Sequence, residues 1–328
     1  KRVDWEAVPY VPAGLHLSEP SPDCAPSLDG VFEEASGVIE TLTARKGIIE
    51  SFHGGESDPR KLSELVLRDP VLAAHVLKAV NSPYYSLPNP VGSVFRAILL
   101  MGHVEVRNLI WRVCLTDATG SLDDDTTARM TMIWDHSFNV SRTAYAIAKS
   151  FSLPNPDEIS TAALLHDVGK LIALSAWPDP AKTLYSDARF SDHGVLEQEI
   201  EAFQIGHAHI GARLISSWSL PQAICDAIRY HHHPSYLPPS EIEGDPVTIA
   251  VVHAADLLCH IHRHEDSPES LHVYKPRDGW LQRLGVRNSL AKLLDEWVVL
   301  ALDHQAREKR AARAQAAQPE PGAGDPAA

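Results

Sequence analysis

Histidine is concentrated in one stretch of the chain. Of the 18 histidines, 12 lie between His136 and His264. Imidazole is the commonest metal ligand near neutral pH, and it also serves as a general acid or base. Composition alone is equally consistent with histidines that are enriched on the surface by chance. The spacing of these residues therefore has to distinguish exposed surface histidines from a metal-binding or catalytic site.

The adjacent pair His166-Asp167 carries the clearest chemical signal. At about 100° per residue, the apolar residues between Leu164 and Ile172 share one face of a helix, and His166, Asp167 and Lys170 project from the other face. Charged side chains among small and apolar neighbours are rarely buried unless they are paired or bind a metal. The alternative is a solvated polar face, on which Glu and Lys are usually scattered.

Four further segments carry histidine or aspartate on predicted helices. They are 134–137 with His136, 206–212 with His207 and His209, 230–234 with His231, His232 and His233, and 253–260 with His253, Asp256 and His260. A carboxylate in an apolar helix needs a cation or a donor, which a metal can supply. The alternatives are a core histidine at 136, cations that favour a helix C-terminus at 231–233, and a solvent-facing aspartate at 256.

The elements that must position these residues are helices, and the predicted fold class is all-α. Apolar residues recur with a helical period from about Val31 onward, and only short segments alternate as a strand does. Asp69-Pro70 indicates a helix start, and Gly102 follows a helix that begins at Val94. The other predicted helices cover about 104–115, 126–152, 157–175, 194–204, 207–218, 221–231, 246–263 and 288–312.

We divide the chain into four parts. These are an extended N-terminal arm at 1–28, a helical lobe at 29–125, a metal-binding lobe at 126–302, and a helix end with a disordered tail at 303–328. The tail has almost no bulky apolar residue to bury. Since no long flexible linker separates the two lobes, we expect them to pack together.

Composition excludes several classes of function. The 328 residues include 29 Lys and Arg against 43 Asp and Glu, a net charge of −14, which disfavours direct nucleic-acid binding. No apolar run approaches the ~20 residues of a membrane span, so we expect no association with a membrane. The four cysteines form no CxxC pair, which argues against a disulfide scaffold or a thiolate zinc site and predicts a cytoplasmic protein.

The order His, His-Asp, His, His-His and Asp on successive helices resembles that of the HD superfamily of metal-dependent phosphohydrolases. More closely, the sequence is similar to the HDOD (HD-related output domain) family over about residues 31–265. The blocks that carry this resemblance are Arg68 to Leu72, Val80 to Ser82, Ala97 to Gly102, Trp134 to Ser137, Leu164 to Leu171, His207 to Ala212, Trp218 to Pro221, His231-His232 and Ala255-Asp256. The resemblance implies an N-terminal helical lobe packed on a C-terminal HD-like metal-site lobe.

The resemblance also implies a set of site residues. The basic HD metal site corresponds to His136, His166, Asp167 and Asp256, and the additional ligands of the related HD-GYP phosphodiesterases correspond to His207, His231 and His232. Asp167 and Lys170 are the catalytic candidates, with Lys170 contacting a phosphate. Spacing, rather than the resemblance, places His253 and His260 on the same helix face as Asp256, and each is a candidate either for a ligand or for a position behind one. His209 and His233 are further candidates for positions behind the ligands. No Gly-Tyr-Pro loop follows His232, so hydrolysis of cyclic di-GMP is not implied.

Three functions follow from this resemblance. The first is a phosphohydrolase or phosphodiesterase that uses one or two divalent ions, Fe, Mn or Zn, on a nucleotide or phosphodiester ligand. The second is a non-catalytic signalling module in which a structural or sensory metal accompanies a surface for a signalling protein partner. The third is a di-iron oxygenase, because a similar His/Asp cage occurs in HD-type di-iron enzymes.

Overall fold

The helices account for about four-fifths of the chain that the computed structural model describes, which is residues 25–44, 58–118, 123–186, 195–218, 220–232 and 243–263. Within these ranges there are fourteen α-helices, one 3-10 helix at Pro83–Tyr85 and no strand, which confirms the all-α prediction. The α-helices are α1 Ala25–Glu34, α2 Ser36–Ala44, α3 Pro59–Leu67, α4 Pro70–Val80, α5 Val94–Met101, α6 His103–Ala118, α7 Asp124–Ser150, α8 Pro156–Leu165, α9 Val168–Ala176, α10 Pro178–Leu184, α11 Val195–Phe203, α12 His207–Ser216, α13 Gln222–Tyr230 and α14 Pro246–Arg263.

Local sequence signals set several helix ends. Asp69 caps α4, because its Oδ1 accepts hydrogen bonds from the main-chain N–H groups of Val71 at 2.9 Å and Leu72 at 3.2 Å. Pro70 is the first helical residue, where no N–H is needed. α5 ends where Gly102 takes a φ of 80°, a conformation that glycine adopts without the penalty of a Cβ.

The structure differs from the predicted helices in several places, and α3 is one of the helices that were not listed. α1 already includes residues 25–28, which we expected in the extended arm. The helix predicted over 157–175 is two helices, α8 and α9. α10 was not predicted, because only Ala181 and Leu184 of its seven residues are buried, too few for a periodic stripe. The predicted helix over 288–312 and the tail lie outside the described residues.

The C-terminal part of the described chain is a bundle of six helices, α7, α8, α9, α12, α13 and α14, that pack against one another. Helices α2 to α6 form the N-terminal part, and α1 and α2 also contact α9. One continuous apolar core runs through both parts. At its centre the ring of Trp111 stacks on that of Trp218 at 5.7 Å and lies 6.2 Å from Trp134. The two parts therefore share a core, although the boundary at 125 stays a prediction.

A buried guanidinium also joins the two parts. Arg107 of α6 donates to Ser160 Oγ at 2.6 Å, to Thr161 Oγ1 at 2.9 Å and to the main-chain carbonyl of Asp157 at 3.1 Å. Burial lowers the pKa of Arg107 to about 10, so the side chain stays protonated near neutral pH. α6 is thereby fixed to α8, the helix that leads into the His-Asp pair.

The central helices are apolar enough to resemble a membrane span. By length and composition alone, the stretch Pro156–Ala176 could cross a membrane. However, 89% of its most apolar window is buried inside the protein. The same stretch is interrupted by the charged residues Asp167 and Lys170, both of them buried. Its apolar character therefore reflects a place at the centre of the helical bundle.

Candidate metal centre

The His-Asp pair lies at a break between two helices. His166 and Asp167 separate α8 from α9, whereas apolar periodicity alone predicted one helix through them. His166 donates from Nδ1 to the main-chain carbonyl of Ala163 at 2.7 Å. One turn further, Lys170 Nζ donates to Asp167 Oδ2 at 2.8 Å. All three polar side chains are buried, so they do not form a solvated helix face.

A close approach of two helix backbones brings His207 to Asp167. A Cβ on Gly169 would lie 1.9 Å from the main-chain oxygen of His207 and 2.8 Å from the nitrogen of Gly211, so only glycine fits at this point of α9. His207 is the first residue of α12. Its Nε2 lies 3.2 Å from Asp167 Oδ1.

The two histidines after α13 complete this group. His231 donates from Nδ1 to the main-chain carbonyl of Ile228 at 2.8 Å, and its Nε2 faces Asp167 Oδ1 at 3.8 Å. His232 Nε2 lies 2.9 Å from His207 Nε2. All the ligand atoms of this group lie within 4.8 Å of one another; its members are Asp167, His207, His231 and His232.

Asp256 of α14 is the centre of the other half of the cluster. Its Oδ1 lies 2.8 Å from His136 Nε2, 3.1 Å from His260 Nε2 and 3.7 Å from His166 Nε2. Asp256 forms a second group of mutually close ligand atoms with His136 and His260. A third group consists of His136, His166 and Asp167. The structure thus brings together all seven of the ligands that the family resemblance implied, and adds His260.

Sequence reasoning missed Glu199, a fully buried carboxylate on α11. It accepts hydrogen bonds from His207 Nδ1 at 2.7 Å, from the main-chain N–H of His207 at 2.8 Å and from the Tyr185 hydroxyl at 2.6 Å. A signal existed, because Glu199 follows Val195 and Leu196 and precedes Phe203 at helical spacing, which places it on the apolar face of α11.

The hydrogen bonds behind the ligands fix which nitrogen of each ring is free. A carbonyl or carboxylate oxygen only accepts, so the Nδ1 atoms of His166, His207 and His231 carry the hydrogen. In the neutral rings, Nε2 therefore presents a lone pair toward Asp167. A metal-bound imidazole usually has such a partner on its other nitrogen.

The charges of the cluster favour a cation. Burial disfavours the ionised form of Asp167, but His166 and Lys170 hold the pKa of this carboxyl well below its usual range. His260 and other imidazoles likewise outweigh burial and hold the pKa of Asp256 well below its usual range. The imidazoles exert this effect while they carry a proton, and a metal ion that replaces those protons would supply positive charge to the same buried carboxylates. The cluster contains three of them and one ammonium group, which belong to Asp167, Glu199, Asp256 and Lys170.

The residues fit a bound divalent metal. His166 Nε2, His231 Nε2 and Asp167 Oδ1 are buried and have no hydrogen-bond partner among the described residues, although each is a strong ligand atom. Ligands that bind one ion at about 2.1 Å lie about 3.0 Å apart at right angles and about 3.4 Å apart in a tetrahedron. The separations around Asp167 and Asp256 lie close to these values. A divalent cation also supplies the compensation that buried carboxylates require.

The candidates for positions behind the ligands have different outcomes. His253 donates from Nδ1 to the main-chain carbonyl of His231 at 2.6 Å, so it supports the turn that carries this candidate ligand. His209 is half-buried and belongs to none of the three groups of ligand atoms in the described residues. His233 lies outside the described residues.

Comparisons with known proteins agree with this architecture. An uncharacterized protein of Treponema pallidum (strain Nichols) is 26% identical over 198 residues, which are 58% of this chain and 36% of that protein. The chain therefore matches about a third of that relative's length.

Two solved structures show the same fold. One is an HDOD domain protein of unknown function from Geobacter sulfurreducens, 24% identical, with 89% of this chain and 97% of that chain covered and a TM-score of 0.55. The other, from Shewanella amazonensis SB2B, has a name that includes the word phosphohydrolase; it is 20% identical, with 89% and 98% covered and a TM-score of 0.57. The HDOD domain model matches residues 43–234. This match covers more than half of the sequence, and the chain belongs to the HDOD domain family.

Proposed function

We propose that this protein binds divalent metal ions in the His/Asp cluster and uses them to hydrolyse a phosphodiester or nucleotide. The observation that carries the proposal is that several imidazoles converge on two buried carboxylates. In three of these imidazoles a hydrogen bond from Nδ1 fixes the tautomer. The ligand set contains imidazole and carboxylate but no thiolate, which suits Fe, Mn or Zn. The name of the Shewanella protein points to the same class of chemistry.

The metal would be held by eight residues: His136, His166, Asp167, His207, His231, His232, Asp256 and His260. When bound, it lowers the pKa of a water ligand and polarises phosphoryl oxygens. The protein's own contribution is orientation, because Glu199 and the carbonyl of Ala163 fix two of the imidazoles. Lys170 places an ammonium group beside Asp167, where it offsets negative charge and would contact a phosphate oxygen.

A non-catalytic signalling module with a structural metal is the second candidate, and the burial of the cluster favours it. His166, Asp167 and His207 are each only 1% exposed, and a substrate needs access to the metal. Apolar side chains are instead exposed on the N-terminal part, including Leu67 at 58% and Leu99 at 56%. Such side chains are available to a signalling protein partner.

Metal analysis combined with a substrate panel tests both candidates. The full chain would be stripped with a chelator, loaded with Mn²⁺, Fe²⁺ or Zn²⁺, and assayed with bis(p-nitrophenyl) phosphate and with nucleotides. Asp167→Asn should lose both metal and hydrolysis. Asp226→Asn is the matched control, since Asp226 is also a buried carboxylate but bonds to Gln222 and Gly244. Bound metal without hydrolysis of any substrate would favour the signalling module, and a wild-type protein that binds no metal would refute both.

A further inference from the structure

Helix α5 is apolar on every side, yet part of it is exposed. Seven of its eight residues are apolar, in the sequence VFRAILLM. Its inward-facing side chains are buried, whereas Leu99 is 56% exposed and Leu100 is 44% exposed. A helix that is apolar all round is normally buried, so we expect its outer face to be covered. We define this outer face by Phe95, Arg96, Leu99 and Leu100.

The outer face of α5 also carries positive charge. Arg96 is the one charged residue of α5, and Arg60 of α3 places its guanidinium 5.4 Å from the centroid of the Phe95 ring. Both arginines are exposed. Residues 58–101 contain five Lys and Arg against three Asp and Glu, although the whole chain has a net charge of −14. A segment that covers this face should therefore combine apolar side chains with carboxylates.

The chain itself contains such a segment, within the helix that the sequence predicts over 288–312. The apolar residues that recur there at helical spacing form a stripe of Leu290, Leu293, Leu294, Trp297 and Ala301. Between residues 290 and 303 the charged side chains are one lysine and three carboxylates. This segment lies outside the residues that the structure describes. Because a helix in a protein depends mainly on the packing of its apolar face, the stripe needs a surface as well.

We infer that the stripe at 290–301 packs on the outer face of α5 in the same molecule. The carboxylates of the segment would then lie near Arg60 and Arg96. The inference is independent of the proposed hydrolysis. It bears on the second candidate function, because the segment would occupy a face that a signalling partner would otherwise contact.

The length of the connection permits this contact. The 26 residues between Arg263, where α14 ends, and Leu290 span up to about 90 Å when extended. A compact domain of this size has a radius of gyration of about 20 Å, so the segment can reach α5. Covalent linkage also gives the segment a high effective concentration at this face, which favours it over a separate molecule with the same apolar and acidic character.

Photo-cross-linking within the full chain tests this inference. p-Benzoylphenylalanine would replace Leu100, and the linked peptides would be mapped by mass spectrometry in an equimolar mixture of unlabelled and nitrogen-15-labelled chains. We expect the main link to join α5 to residues 290–302 of the same molecule. Ile200→p-benzoylphenylalanine is the matched control, because Ile200 is also an exposed aliphatic residue, on α11, and it should give no such link.

Two further variants of the chain that carries the probe at position 100 test the stripe itself. Trp297→Glu should abolish the link, because it places a charge in an apolar contact. Val299→Glu introduces the same charge about 200° round the predicted helix and should keep the link. Equal yields from the two variants, or no link between position 100 and the segment, would overturn the inference. Links between labelled and unlabelled chains would assign the face to a second copy and overturn it too. None of these results alters the proposed metal binding, which metal analysis tests separately.

Discussion

Replacing Glu199 by glutamine should weaken metal binding although this residue is not itself a ligand. Glu199 accepts the Nδ1 hydrogen of His207 at 2.7 Å and the main-chain N–H of the same residue at 2.8 Å. The carboxylate makes the imidazole a better donor of its Nε2 lone pair. An amide oxygen accepts the same hydrogens but carries no charge.

The size of the effect follows from these contacts. A hydrogen bond to a charged group contributes about 1.5–3 kcal/mol and a neutral one about 0.5–1.5 kcal/mol. This hydrogen bond exists with and without metal, so only the part by which metal binding strengthens it enters the binding free energy. Loss of a group that orients a metal-bound histidine typically weakens binding about 10- to 100-fold, which is about 1.4–2.7 kcal/mol. We therefore expect Glu199→Gln to raise the Kd for Zn²⁺ or Co²⁺ about tenfold or more.

Competition with a chromogenic chelator at constant pH measures this ratio. Tyr185→Phe is the matched control, because it removes another donor to Glu199 but leaves the carboxylate on His207. Its Kd should stay within about threefold of wild type, although the loss of a buried hydrogen bond to a charge should cost about 1.5–3 kcal/mol of folding stability. If Glu199→Gln folds and binds metal within twofold of wild type, the carboxylate does not tune His207 and the reasoning is wrong.

Three further predictions concern stability. Gly169→Ala should destabilise the fold by at least about 1–3 kcal/mol in chemical denaturation, because the added Cβ would meet the backbone of His207. The same displacement should weaken metal binding. Unchanged stability would show that α9 and α12 can separate at no cost. Asp69→Ala should cost about 1 kcal/mol through the lost cap of α4 without changing metal affinity. His103 and Arg107 outweigh burial and lower the pKa of the Asp157 carboxyl, so its ionisation stabilises the fold above its unfolded pKa and this stabilisation is lost as the pH falls. Asp157→Asn should therefore lower Tm at pH 7 and have a smaller effect at pH 3, and an equal loss at both would contradict this origin.

Helix positions were predictable where the determining interaction is local. The Asp69-Pro70 start and the stop at Gly102 depend on residues within one turn, and both appear in the structure as predicted. Which helices meet is not local information. His136 and Asp256 lie 120 positions apart and meet in the structure. Their convergence was predicted from the resemblance to the HDOD family and not from the spacing of residues.

The break at His166 and Asp167 was missed because hydrophobic periodicity continues on both sides of it. Leu165 at the end of α8 and Val168 at the start of α9 are both buried. Where apolar residues continue across a break, their pattern alone cannot distinguish one helix from two. Glu199 was missed for the opposite reason. A carboxylate among other acidic residues on α11 is usually solvated, and only the position of its apolar neighbours marks it as buried.

The ligands at helix ends show how fold and site depend on one another. His166 directly follows α8 and His231 directly follows α13, and each donates from Nδ1 to the carbonyl three residues earlier, that of Ala163 or of Ile228. The last carbonyls of a helix lack partners within it, so each imidazole satisfies one of them. The same hydrogen bond fixes the tautomer that directs the Nε2 lone pair at Asp167. Because one contact both satisfies the helix end and orients the imidazole, we expect a change that frays either helix end also to move the candidate metal ligands apart.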